Sequence, residues 1–337
     1  MDFANKDTFA KWLPSGESSL SIFPIERGQH VPATNFAFVL NVNKLSGYTS
    51  FEIAPGHTLR RAVPEEVERI KRLVKPPAPN ESYAPWERKR TKRGSVHSES
   101  SAWRYFVVAF RDDPSTIMDL QHVATFSEVD LRIEPIFFSA TWGKRPAIEG
   151  VLYNPGRLYQ CVDTCCRRGG AFLNVSQAQL RSLGKLLGAY QKHDESIVDV
   201  KWIASQLVGV QSLPHNSALR FLGLFGLLES LLTHKPNPTD AYQSITRQVT
   251  KKINLLNRRF AWRIDYSVFG SLSQESVWKK MYSYRSCVAH GERVEFKGDL
   301  QSLGNAQQAL ELLEATLKAV VRQTLLEPAL IADLREC

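Results

Sequence analysis

Five cysteines in 337 residues are too few, and too unevenly placed, for a disulfide framework. Cys161, Cys165 and Cys166 fall together, Cys287 stands apart and Cys337 ends the chain. A zinc site recruits two ligand pairs at short spacing, and no second pair accompanies the cluster, because His122 and His193 are distant and isolated. These residues are read as reduced, partly buried thiols. A glycine-rich phosphate loop is missing, as is a carboxylate cluster suited to magnesium, so nucleotide-driven and metal-dependent chemistry are disfavoured. Neither a cofactor nor a metal is expected. Long apolar runs are missing too: the nearest, 221–232, is too short to span a bilayer and carries Glu229. The opening residues, from Met1 to Asp7, lack a basic region followed by an apolar one, so no secretory signal is read. The expectation is a cytoplasmic protein without a membrane partner.

What is present is a 43% hydrophobic chain with a net charge of +9. It is long enough for two domains with real cores. The positive balance favours a polyanionic partner, nucleic acid first, although charge speaks to association rather than fold.

The first half reads as strands mixed with helices. Segments 19–25, 36–42 and 48–53 are short, rich in β-branched and aromatic residues, and bounded by glycine, proline or asparagine. Segments 103–110, 130–138 and, more weakly, 150–153 read the same way. A helix is expected over 64–74: Pro64 opens it, Glu65 and Glu66 fill its first turn, and Val67, Ile70, Leu73 and Val74 share a face. Between them, 75–100 begins proline-rich and then turns densely basic. It is read as a loop or disordered insertion, either gripping phosphates or simply solvated.

From about Val175 the periodicity becomes helical, with Ser176 a candidate N-cap and Leu180, Leu183, Leu186 and Leu187 on one face. The polar run 191–195 marks a boundary, giving an N-terminal mixed domain over 1–190 and a C-terminal helical domain over 196–330. Helices are expected at 197–208, 217–233, 239–257, 274–289 and 305–326, which makes the chain α+β overall. The second of these is apolar nearly all round, and burial by the bundle or by a second subunit would each explain it.

Chemistry concentrates in Tyr284-Arg285-Ser286-Cys287-Val288-Ala289-His290-Gly291. Arg285 and His290 lie five positions apart, so on an ideal helix they point about 140° away from each other. They converge only where the helix ends, or where a second copy faces the first. Spacing alone is equally met by an ordinary helix end, with basic residues in the last turn and Gly291 as a left-handed cap.

The order of elements adds to this. A leucine-rich helix with an acid, Phe225-Gly226-Leu227-Leu228-Glu229-Ser230-Leu231, precedes a helix dotted with Lys and Arg and then the Arg–His motif. This arrangement resembles the HEPN superfamily, and the "RS-x-x-x-HG" signature is similar to its Apea-like branch. The resemblance spans roughly 197–326. It implies a metal-independent endoribonuclease acting as a homodimer, with two motifs facing across the interface, in defence against phage or mobile elements through growth arrest or abortive infection. Arg285 and His290 match the family's paired motif and Ser286 its following polar position. Glu229 falls where many members place an acid, though it also reads as the solvent edge of a buried helix. In the antitoxin-paired members a tyrosine follows the histidine by two residues; here that position is Glu292, so modification there is not carried over.

These residue types suit attack of a 2′-hydroxyl on its own phosphate. His290 moves a proton, because histidine titrates nearest neutrality. Arg285 presents a planar charged fork to the developing dianion. Ser286 or Tyr284 orients phosphate or hydroxyl, and the product end is a 2′,3′-cyclic phosphate. Candidate RNA contacts are Tyr284, Lys251, Lys252, Arg258, Arg259 and Lys279, with Arg247 and Lys280 beside them and Trp262 and Tyr266 as stacking platforms. A solvated helix face is the plain alternative for any one of them. The two-domain layout, rather than any motif, assigns sensing of a phage-derived trigger, or restraint of the nuclease, to the N-terminal domain. The competing reading is a non-catalytic RNA-binding or dimerisation scaffold on the same bundle.

Overall fold

A computed structural model describes residues 19–24, 35–73, 86–90, 96–100, 105–111, 113–142, 145–152, 172–234, 245–261 and 263–336. The chain divides into two compact units, one of Met1–Ala124 with Glu128–Gly188, the other of Thr125–Ser127 with Ala189–Cys337. The first is built on an antiparallel sheet and the second is helical, which is the α+β class.

In chain order the first unit holds β1 (Ser19–Pro24), β2 (Asn35–Val39), β3 (Val42–Leu45), β4 (Ser50–Ala54), β5 (His57–Arg61), α1 (Pro64–Leu73), β6 (Trp86–Arg90), β7 (Val96–Ser100), β8 (Phe106–Phe110), α2 (Pro114–Phe126), β9 (Ile133–Trp142), β10 (Arg145–Leu152), β11 (Leu173–Val175) and α3 (Gln177–Lys192). Seven strands form one sheet in the order β1-β10-β9-β2-β8-β5-β4. Its centre, β2 and β8, is apolar along its length and buried on both faces, as continuous runs such as Phe106–Phe110 require. On one face Phe36, Phe38, Val107, Phe137 and Ile148 pack with Ile70 of α1, and Leu73 closes the edge. Phe36 stacks on Phe137 with ring centroids 4.5 Å apart. α2 is held to the sheet by Gln121, whose amide donates to the Ile133 carbonyl at 2.8 Å. Ser176 caps α3 reciprocally: its hydroxyl accepts from the Gln179 N–H, while the Gln179 side chain accepts from the Ser176 N–H.

Several expectations change here. The segment expected as one strand over 36–42 breaks at Leu40–Asn41 into β2 and β3, and β3 pairs parallel with β11 instead of joining the large sheet. The basic stretch is not wholly loop, since β6 and β7 pair antiparallel from Trp86↔Ser100 to Arg90↔Val96. Residues 75–85 and 91–95 of that stretch, and the cysteines at 161, 165 and 166, lie outside the described residues.

The second unit comprises α4 (Val200–Gln211), α5 (Ala218–Leu232), α6 (Ile245–Leu256), α7 (Gln274–Ala289), α8 (Ala306–Leu326) and α9 (Pro328–Glu336). Three helix starts are fixed by side-chain acceptors: Asp199 takes the Trp202 N–H, Ser273 that of Ser276, and Asn305 that of Gln308. α5 sits in the middle and packs against α4, α6, α7, α8 and α9. That explains why it is apolar all round. Most of its apolar residues are buried by neighbours within the same chain, while Leu219 at its start stays 65% exposed.

Candidate active site at the end of helix α7

α7 buries Val277, Trp278, Met281 and Tyr284 against the bundle. Phe225 of α5 meets the edges of Trp278 and Tyr282, and Phe221 packs 4.4 Å from the Tyr284 ring. These aromatic contacts fix the rotation of α7 against α5. Once that rotation is set, Arg285 faces the C-terminal half of α5, where Glu229 lies.

Arg285 Nη2 donates to Glu229 Oε2 at 3.3 Å. The guanidinium also lies 5.7 Å from the centroid of the Tyr282 ring, one turn earlier on the same helix face. Arg285 keeps a third of its side chain exposed and Glu229 only 14%. The second oxygen, Glu229 Oε1, is buried and has no hydrogen-bond partner among the described residues. Burial pushes the Glu229 carboxyl above the ordinary glutamate range, while the Arg285 charge and hydrogen bond pull part of the way back.

His290 follows the last helical residue as the C-cap and is exposed. The backbone there forms a complete double cap. The Gly291 N–H reaches the Val288 carbonyl at 3.1 Å and the Glu292 N–H the Cys287 carbonyl at 3.0 Å, with Gly291 at φ 73. The glycine is explained by that left-handed turn, which a side chain would strain. α7 thus ends where convergence of the pair requires it to end. Within one chain, however, no hydrogen bond joins Arg285 to His290; the structure joins Arg285 to Glu229. Ser286 is half-buried, and its carbonyl accepts from the His290 N–H at 3.0 Å. Beside it, the Cys287 thiol donates to the Glu292 carboxylate, which pushes the thiol pKa up.

Two expected RNA contacts are corrected by burial. The Tyr284 ring is 5% exposed and enclosed by Phe221 and Phe296, so it belongs to the core. Lys252 is 6% exposed, with its Nζ turned to Gln248 Oε1 at 3.4 Å, because on α6 it falls on the inward face beside Val249, Ile253 and Leu256. Tyr266 is no stacking platform either. Its hydroxyl accepts from Trp278 Nε1 at 2.9 Å and Gln274 Nε2 at 3.0 Å, and burial pushes its pKa up to about 12. Trp262 lies outside the described residues.

Of the remaining cations Lys251, Arg258, Arg259 and Lys279 are exposed and Lys280 is half-buried. Lys279 pairs with Glu275 at 2.9 Å, Arg259 with Glu327 at 2.7 Å, and Lys280 with Asp299 at 2.7 Å. Among the described residues neither Lys251 nor Arg258 makes an ion pair. The Lys279 hydrogen bond and charge, with weaker help from Arg247 and Lys251, hold Glu275 below the ordinary glutamate range. One acid therefore sits among three cations on the α6–α7 face. Tyr282 is the residue that sequence reading left without a role; its signal was the i, i+3 spacing to Arg285.

Neither a family model, nor a curated protein, nor a solved structure matches this chain. The HEPN likeness therefore stands on the two motif segments and the order of the helices. Among the described residues no group of three or more His, Cys, Asp or Glu is placed to hold a metal, and no helix is long and apolar enough to cross a membrane.

Proposed function

We propose that the helical unit is a metal-independent endoribonuclease of the HEPN type, working as a homodimer in the cytoplasm as a defence effector. The observation that carries this reading is the Glu229–Arg285 contact: residues 56 apart in sequence, both named by the family pattern, meet at the helix end that bears His290. In the proposed reaction His290 of one copy takes the 2′-hydroxyl proton, and the oxygen attacks the adjacent phosphorus. The bond to the 5′-oxygen breaks and that oxygen takes a proton from the second copy's histidine. The products are a 2′,3′-cyclic phosphate and a 5′-hydroxyl. Arg285 stabilises the extra negative charge on phosphorus, and Tyr282 with Glu229 hold its fork in place. Lys251, Arg258 and Lys279 offer a path for the RNA backbone, and the N-terminal unit supplies the control.

A second reading, a non-catalytic RNA-binding scaffold, is favoured by the double cap, which accounts for Gly291 and seats His290 with no chemistry. Purified protein incubated with RNA in EDTA decides between them. The nuclease reading expects cleavage that Arg285→Ala and His290→Ala each reduce at least about a hundredfold. Undiminished cleavage by His290→Ala, or RNA binding without cleavage, supports the scaffold. If the isolated protein needs a trigger, growth arrest on phage infection of cells carrying the same variants is the readout.

A further inference from the structure

A cleft of about 420 Å³ opens on the sheet of the N-terminal unit, lined by Glu52, Gly56, Thr58, Arg60, Ala109 and Arg111. Strand register explains the grouping. Glu52 pairs with Thr58 and Thr58 with Ala109, so β4, β5 and β8 contribute one row. Arg60 and Arg111 follow two residues along β5 and past the end of β8, on the same face by alternation. Ala109 supplies a low floor.

Most of the wall is already pinned. Arg60 clamps Glu66 with two hydrogen bonds, 2.8 and 2.7 Å, and Glu66 also accepts the Val63 N–H at 2.9 Å. Glu52 Oε1 accepts the Gly56 N–H at 3.1 Å. The turn between them is held through its neighbour His57, whose ring nitrogens lie 3.2 Å from the Pro55 carbonyl and 3.0 Å from Thr116 Oγ1. Two donor groups of the lining are left over. The exposed Arg111 guanidinium and the Thr58 hydroxyl have no hydrogen-bond partner among the described residues. Spare donors in a rigid concavity are matched by an acceptor that carries negative charge. The free oxygen of Glu52 repels such a group at the opposite end and suits a donor there.

From this we infer that the cleft binds a small organic anion. Its phosphate or carboxylate head lies on Arg111 and Thr58, its body over Ala109, and a donor group faces Glu52. The volume falls within the range of small-molecule sites and exceeds what a bare oxyanion fills. The inference concerns the sheet unit alone and stands or falls independently of the nuclease reading.

The test uses the full chain, with thermal melts and calorimetry against AMP, citrate, inorganic phosphate and adenosine. AMP or citrate is expected to raise the melting transition of the sheet unit by roughly 5 °C at a hundredfold excess over Kd, and adenosine to leave it unmoved. AMP active without citrate identifies a phosphate head, and the reverse a carboxylate head. Arg111→Ala is expected to weaken binding at least tenfold and Thr58→Val less, while Arg258→Ala in the helical unit leaves it intact. Arg111 and Thr58 are not core residues, so the unliganded melts of both variants should match wild type. Absence of any shift with both anions overturns the site, as does a shift kept by both cleft variants or abolished by Arg258→Ala. Inorganic phosphate binding as tightly as AMP overturns the organic body.

Discussion

Helix α5 carries an arginine–glutamate pair at each end, and the two pairs are built to opposite specifications. Near its start, Arg220 is 1% exposed and its donors are filled: Nε and Nη2 go to Glu314 of α8, and Nη1 to the Gln211 and Leu213 carbonyls at 3.1 and 3.0 Å. Near its end, Glu229 receives Arg285 through one contact at 3.3 Å, longer than charge-assisted bonds usually run, and the guanidinium stays a third exposed. The first arginine joins helices and closes the α4–α5 turn. Among the described residues the second makes one hydrogen bond and leaves its other donors free. Both side chains are charged and both face an acid, so the difference lies in how many of the five donors the protein consumes.

Removing each arginine separates the roles. Arg220→Ala leaves Glu314 and two carbonyls without their partner and is expected to cost about 3–5 kcal/mol, read as a lower denaturation midpoint of the helical unit. Arg285→Ala is expected to cost about 1 kcal/mol or less in the same melts while, on the proposed nuclease reading, lowering RNA cleavage at least about a hundredfold. Equal stability losses at the two sites would erase the distinction and make Arg285 a structural residue.

The same helix offers a smaller contrast in packing. A methyl group at Gly223 would lie 2.8 Å from Val210 Cγ2 of α4, whereas one at Gly226 would meet nothing within 4 Å. Gly223→Ala is therefore expected to destabilise by roughly 1–3 kcal/mol through overpacking. Gly226→Ala should stabilise by up to about 1 kcal/mol, because alanine loses less backbone freedom in a helix. Chemical denaturation of the two variants should move the midpoint in opposite directions. A rise for both would mean that α4 and α5 are not closely apposed at Gly223.

This pattern also shows what could be read before the fold was known. Five of the second unit's six helices, α4 to α8, were legible because apolar residues recur at helical spacing, and α7 runs over Gln274–Ala289 as expected, while α9 was not foreseen. α2 was not, because Ile117, Leu120, Val123 and Ala124 bury it so thoroughly that amphipathic contrast disappears. Arg285 and Glu229 were found through motif and order, yet their contact spans 56 residues and depends on the rotation that Phe225 and Tyr282 impose. Arg220 gave no signal, since its partner Glu314 lies 94 residues away. Lys252 and Tyr284 misled because a charge or a ring does not reveal which helix face will turn inward.

The smallest expected effect probes how Glu229 is held. Burial raises its pKa in the folded protein, so the native state binds the proton more tightly than the unfolded chain does. Its contribution to stability is therefore full below the ordinary glutamate value and is lost as pH rises through the raised native value. Glutamine cannot titrate, so the stability difference between wild type and Glu229→Gln should drift across that weakly acidic window and flatten on either side. In Arg285→Ala the opposing charge is gone, burial acts alone, and the window should extend to higher pH. Denaturant titrations at a series of pH values measure both effects. If the wild type and Glu229→Gln curves stay parallel throughout, Glu229 is solvated rather than buried at the end of α5.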